Sequence, residues 1–253
     1  MERRAFSLEL EGFYLAGETY IPDQTPCPAL CFCHGIPRGV PDPNDPGYPV
    51  LAERFCDAGF LTCLFNFRGT GASGGNFDVL GWTRDLRTII DHVLTLQEVD
   101  RAKLCVMGFS AGAAVSAYVA STTPRLSSLV LCACPARFRL TDARTAAQSA
   151  LEQFRATGII RDTDFPPSEA SWFEGFKRVS PIGCIASISP RSVFIIHGSQ
   201  DDLVDPGDAR ALYERANQPK ELLIVEGAGH RLRLEERAMA AALEWLTGRV
   251  EGN

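Results

Sequence analysis

Short apolar runs and helix-length stretches take turns along most of this chain, and that rhythm restricts the fold more than any other feature. Runs at 29–33, 61–65, 103–107 and 127–133 read as strands, and the stretches between them, at about 50–58, 82–96 and 111–121, carry helical patterns. The rhythm resumes with strands at 192–197 and 221–225 and helices at about 206–217 and 231–247. Strands separated by helices run in one direction, so they form a mostly parallel sheet with right-handed crossovers. An antiparallel ribbon precedes them, with 5–10 and 14–21 flanking a turn at Glu11-Gly12. At 253 residues and 45% hydrophobic composition, the natural reading is one large α/β domain spanning 1–253. No internal repeat interrupts it.

Two segments break the rhythm. Residues 37–49 hold prolines at 37, 41, 43, 46 and 49, which predicts a long, stiff loop. Residues 135–189 separate two core strands by more than one crossover needs, which predicts a cap insertion. Helical stretches are expected there near 145–157 and 171–176. Its aromatic residues Phe154, Trp172, Phe173 and Phe176 would either line an apolar substrate pocket or seal the cap onto the core.

The chemistry enters at Gly108-Phe109-Ser110-Ala111-Gly112, which stands directly between a strand and a helix. In that setting G-x-S-x-G is a nucleophile elbow: small neighbours permit a tight turn that pushes the serine hydroxyl to its apex. The helix N-terminus behind it favours negative charge. A serine hydroxyl attacks poorly unless a base takes its proton, and the chain has four histidines. His92 lies within a helical pattern. His34 and His197 each end an apolar run before a glycine and read as residues of turns near the site. His230 follows the strand 221–225 and the loop Glu226-Gly227-Ala228-Gly229, and is the expected general base. The carboxylate that orients it should follow the strand 192–197. Asp201, three residues beyond Gly198, is preferred, with Asp202 facing solvent or bracing the loop. Asp205 is expected to cap the next helix, with Pro206 at its first position.

Acyl transfer also requires fixed donors for the developing oxyanion. Ala111, next after the serine, supplies one backbone N–H. The exit of the strand 29–33 supplies the other, and there Ile36 has an N–H to give where Pro37 has none. His34 and Phe109 are expected beside the substrate.

The motifs His34-Gly35, Asn66-Phe67-Arg68-Gly69-Thr70-Gly71-Ala72-Ser73, GFSAG, His197-Gly198-Ser199-Gln200-Asp201 and Gly227-Ala228-Gly229-His230 together resemble the α/β-hydrolase superfamily. They span nearly the whole chain, and the order Ser, Asp, His is that of this superfamily. The resemblance implies an eight-stranded, mostly parallel sheet with helices on both faces and a small helical cap over 135–189. It implies a serine hydrolase acting on a small carboxylic ester or thioester, of carboxylesterase or thioesterase type, without a cofactor. The alternatives are a peptidase or acyltransferase using the same residues, or a non-catalytic ligand binder. A serine at the elbow argues against dehalogenase and epoxide hydrolase relatives, which carry aspartate there.

Other classes are less consistent with the residues. Gly69, Gly71 and Gly74 satisfy a dinucleotide-binding spacing, but no helix begins at once after them, as pyrophosphate binding requires. A net charge of −6 gives no sign of nucleic-acid binding. No apolar run approaches the length that spans a bilayer. The nine cysteines are odd in number, and several sit inside core strands. Residues 1–12 lack the apolar stretch of a secretion signal. The expectation is therefore a cytoplasmic protein whose cysteines act as small hydrophobic residues. Cys31-Phe32-Cys33-His34 lacks a second ligand pair, so no metal is expected. Arg231, Arg233 and Arg237 share the last helix with Glu235 and Glu236 and read as a solvated face.

Overall fold

The computed structural model describes residues 1–37, 45–139 and 144–251, with side chains of the last stretch from 148 onward. Eight strands form one sheet: β1 (Glu2–Leu10), β2 (Phe13–Ile21), β3 (Cys27–Cys33), β4 (Leu61–Phe65), β5 (Val99–Phe109), β6 (Ser128–Cys132), β7 (Ser192–Gly198) and β8 (Lys220–Val225). Their spatial order is β1-β2-β4-β3-β5-β6-β7-β8. The first ribbon is antiparallel and joins β4 antiparallel, while β4 through β8 run parallel. The mostly parallel sheet is what the alternation predicts, and its eight strands are what the resemblance to the α/β-hydrolases implies.

Continuously apolar strands such as Leu129, Val130 and Leu131 show no period-two pattern because helices cover both faces of the sheet. One face carries α2 (Val79–Val93), α3 (Ala111–Thr122) and α7 (Pro206–Arg215). The other carries α1 (Gly47–Asp57) and α8 (Glu236–Glu251). Cys31 and Cys33 fall on the first face and Cys105 and Cys132 on the second, each fully buried as a free thiol. α3 is almost wholly apolar because it is central, and its alanines allow close approach to the strands.

Several expected boundaries move. α1 begins at Gly47, earlier than position 50, because Pro49 is tolerated in a first helical turn where no N–H bond is needed. The expected helix at 231–247 is divided. A 3-10 turn at Leu232–Leu234 comes first, extended backbone at Glu235 ends it, and α8 then starts. The helix after Gly74 begins only at Val79, capped by the Asp78 side chain. The expectation of a stiff loop over 37–49 falls largely on residues 38–44, outside the described residues.

Between β6 and β7 lie α4 (Arg144–Ala156), α5 (Glu169–Arg178), α6 (Pro181–Cys184) and a 3-10 turn at Ile185–Ile188. The first two match the helical stretches read from sequence. Strong anchors tie this segment to the loop after β4. Trp172 Nε1 donates to the Phe77 carbonyl at 2.9 Å, and Phe77 N–H donates to the Ile159 carbonyl at 2.8 Å. Arg161 donates to the carbonyls of Gly69, Gly71 and Ser73. Rings of Phe77, Phe154, Trp172 and Phe176 pack edge to face with centroids 4.8–6.0 Å apart. Among the described residues no helix is long and apolar enough to cross a membrane.

Candidate active site

Ser110 sits between β5 and α3 with φ 54° and ψ −122°, a conformation costly for any residue with a side chain. The neighbours make it possible. A Cβ at Gly108 would lie 2.5 Å from Ala113 Cα, and one at Gly112 would lie 2.3 Å from the Cys33 carbonyl oxygen. Ser110 N–H donates to the Cys132 carbonyl at 2.8 Å, and its own carbonyl accepts from Ala113 and Ala114 at 3.0 and 3.2 Å. The strained residue is thus over-determined by the strand on one side and the helix on the other.

The exit of β3 lies against it. A Cβ on Gly35 would stand 3.0 Å from Ser110 Cβ and 3.7 Å from Ser110 Oγ, so only glycine lets this loop come so near. His34 fixes the peptide that follows. Phe67 N–H donates to His34 Nε2 at 3.2 Å, so Nε2 is an acceptor and the ring proton is on Nδ1. Nδ1–H then donates to the Gly35 carbonyl at 2.7 Å. Burial pushes the His34 pKa down, which keeps this neutral tautomer. The Gly35–Ile36 amide is trans, so the Ile36 N–H points opposite to the carbonyl that His34 holds. Tyr48 from α1 packs its ring edge to face on Phe109 at 5.5 Å. Burial raises its phenol pKa, partly offset by the Gly35 N–H at its oxygen.

At the far side, β7 and β8 deliver Asp201 and His230. Gly198 allows the two loops to meet, since a Cβ there would fall 2.2 Å from the Ala228 carbonyl oxygen. Gln200 N–H donates to Ala228 at 2.9 Å, and Gly227 N–H donates to Ser199 Oγ at 2.9 Å. These bonds set His230 Nδ1 at 2.8 Å from Asp201 Oδ2. Asp201 Oδ1 accepts from the N–H groups of Leu203 and Val204, each at 2.9 Å. His197 Nε2 also lies 3.2 Å from Asp201 Oδ2. Burial alone would raise the Asp201 pKa, but these four donors outweigh it and hold the carboxyl far below the usual range. Asp202 is exposed in the same turn, and of the two adjacent aspartates it is Asp201 whose carboxylate meets His230.

The remaining site expectations divide. Trp172 and Phe176, at 4% and 1% exposure, pack at the seam between the 144–188 segment and Phe77. Phe173 is half-buried and packs on Trp172. His34 borders a mostly apolar groove of about 490 Å3 that extends over β1, β2 and β4, with Phe6, Gly17, Phe32, Tyr48 and Leu64, and neither Ser110 nor His230 lines it. Asp205 caps α7 by accepting from Gly207 N–H, with Pro206 at the first position. Arg233 is not a solvated residue as expected: its guanidinium pairs with Asp45 and covers the Tyr48 ring at 5.1 Å. Sequence reasoning did not place Tyr48, and it left His197 as a turn residue, although the His-x-x-x-Asp spacing around Gly198 was visible.

The buried Asp201, the half-buried His230 and the strained Ser110 all lie at the C-terminal rim of the parallel sheet. The model of the Alpha/beta hydrolase family matches residues 32–244, and the chain belongs to that family. It is 24% identical over 224 residues to polyketide transferase ATR5 of Stachybotrys chlorohalonatus, covering 71% of this chain and 75% of that protein. Among solved structures, DcsB in complex with its substrate analogue superposes with a TM-score of 0.77 at 21% identity, over 100% of this chain and 99% of that one. Est1E from Butyrivibrio proteoclasticus with ferulic acid bound gives 0.75 at 16% identity, over 98% and 100%.

Proposed function

We propose that the protein hydrolyses carboxylic esters or thioesters of small molecules through an acyl-enzyme on Ser110. The single observation that carries this reading is the Asp201–His230 bond, in which a buried, fully coordinated carboxylate fixes one ring nitrogen of an imidazole at the rim. With Nδ1 committed to Asp201, Nε2 of His230 is left to act as the base. In the proposed cycle His230 takes the proton of Ser110 as its oxygen attacks the carbonyl carbon. The N–H groups of Ile36 and Ala111 stabilise the oxyanion. His230 returns its proton to the leaving alcohol or thiol, and a water activated in the same way releases the acid.

A fluorophosphonate probe should label Ser110, and Ser110→Ala should abolish both labelling and the hydrolysis of p-nitrophenyl esters while the melting temperature stays high. Hydrolysis by that variant at the wild-type rate would reject the assignment. The polyketide transferase relative favours a second reading, transfer of the acyl group to an alcohol in place of water. Product analysis with an added alcohol separates the two.

A further inference from the structure

His197 has no part in the cycle just described, yet it touches the same carboxylate oxygen as His230. Its place follows from the strand: β7 ends at Gly198, and the turn beyond it folds Asp201 and Val204 back over the His197 ring. Nε2 lies 3.0 Å from the Val204 carbonyl oxygen and 3.2 Å from Asp201 Oδ2. Both neighbours only accept, so Nε2 carries the hydrogen and shares it between them. Nδ1 is then the bare nitrogen. It is buried and meets no hydrogen-bonding partner among the described residues.

We propose that His197 is a positioning residue: a buried imidazole that donates to the oxygen shared with His230 and so limits how strongly Asp201 holds a proton on His230. The proposal rests on the hydrolase reading for its purpose, though not for its geometry. A carboxylate has about four acceptor sites, and Asp201 fills them with two backbone N–H groups and two rings. Each donor stabilises the carboxylate charge in place, so less of that charge is left to favour an imidazolium beside it. His230 therefore yields the proton it takes from Ser110 to the leaving group more readily. The titratable groups on the carboxylate are His197 from β7 and His230 from the loop after β8; Asp202 in the intervening turn is exposed.

The test compares His197→Leu, which keeps the volume and removes the donor, with His197→Gln, which keeps a donor at nearly the same reach. Two readings are taken: the titration midpoint of His230 by NMR of labelled histidine, and kcat/KM against pH with p-nitrophenyl acetate. His197→Leu should raise the His230 midpoint by about one pH unit, and the acid limb of kcat/KM should move with it. Activity should then fall about tenfold at the acid limb and much less above pH 8. His197→Gln should restore both. If His197→Leu does not fold, His197→Asn, too short to reach Asp201, should show the same displacement. An unmoved midpoint, or a uniform loss at every pH, would overturn the proposal and leave His197 a packing residue. If the wild-type protein neither binds the fluorophosphonate nor cleaves the ester, the hydrolase reading fails, and the NMR titration still decides the role of His197.

Discussion

Two buried carboxylates, Asp85 and Asp201, receive similar numbers of hydrogen bonds and serve different ends. Asp85 on α2 accepts from Arg68 N–H at 2.9 Å, from Nε at 2.9 Å and from Nη2 at 2.7 Å. Arg68 also reaches Glu11 in the hairpin turn at 2.8 Å. Burial works against the guanidinium, but Asp85 and Glu11 push its pKa above the ordinary value. Its partner is therefore a cation that never releases a proton. This cluster braces the loop after β4 against α2 and the first ribbon. Asp201 has no permanent cation. Its side-chain partners are two imidazoles, one of them sealed and one, His230, half-buried at the rim. Saturation by donors makes a carboxylate rigid in either setting; whether the donors can titrate separates a brace from a site for proton transfer.

The sharpest way to break this comparison is to neutralise each carboxylate in turn. Asp201→Asn keeps the shape and an acceptor for the Leu203 and Val204 N–H groups, but disfavours the tautomer that leaves His230 Nε2 free. It should lower kcat about 10⁴-fold with little change in melting temperature. Asp85→Ala should do the reverse. It strands a buried guanidinium with only Glu11 for company, and should cost about 3 kcal/mol in urea unfolding while each folded molecule retains near wild-type turnover. Equal losses of activity in the two variants would erase the distinction.

The two clusters also differ in how much of them could be read before the structure. The elbow at Ser110 and the pair Asp201 and His230 lie at strand ends fixed by short apolar runs, so their places follow from strand order alone. The partner of Arg68 was not legible, because Asp85 is one of two aspartates on an amphipathic helix. His197 and Tyr48 act through contacts made by loops folding back over strand ends, and a linear pattern carries no sign of such returns. The cap aromatics posed a true ambiguity. Trp172 and Phe176 are buried at the seam with Phe77, and nothing in their spacing distinguishes a seam from a pocket. The break between the 3-10 turn and α8 escaped notice because the apolar residues Leu232, Leu234 and Met239 continue a plausible helical rhythm across it.

The seam offers an intermediate effect. Trp172→Phe keeps most of the aromatic packing and loses the donor to the Phe77 carbonyl, whose backbone N–H is bound in turn by the cap. About 1 kcal/mol of stability should be lost. Because the ring faces the core, the preference among p-nitrophenyl esters of increasing chain length should not change. A changed preference would return Trp172 to the substrate pocket.

The smallest effect belongs to the exposed end of the brace. Arg84, opposed by burial and aided by Arg68, lowers the Glu11 pKa to about 2. An unfolded glutamate titrates near about 4.3, so the folded state binds this proton less readily. The stabilisation is complete above the unfolded value and is lost as pH falls through the folded one. Glu11 is 40% exposed, so solvent screens the pairs and the contribution is small. The melting temperature of Glu11→Gln should therefore lie slightly below that of the wild type at pH 6, and the gap should close between about pH 4.3 and 2. Asp201, whose carboxyl is also depressed, is present in both proteins and cancels from the difference. A gap that persists unchanged at pH 2 would mean that the glutamate acts through packing or shape, and that its charge adds nothing to the brace.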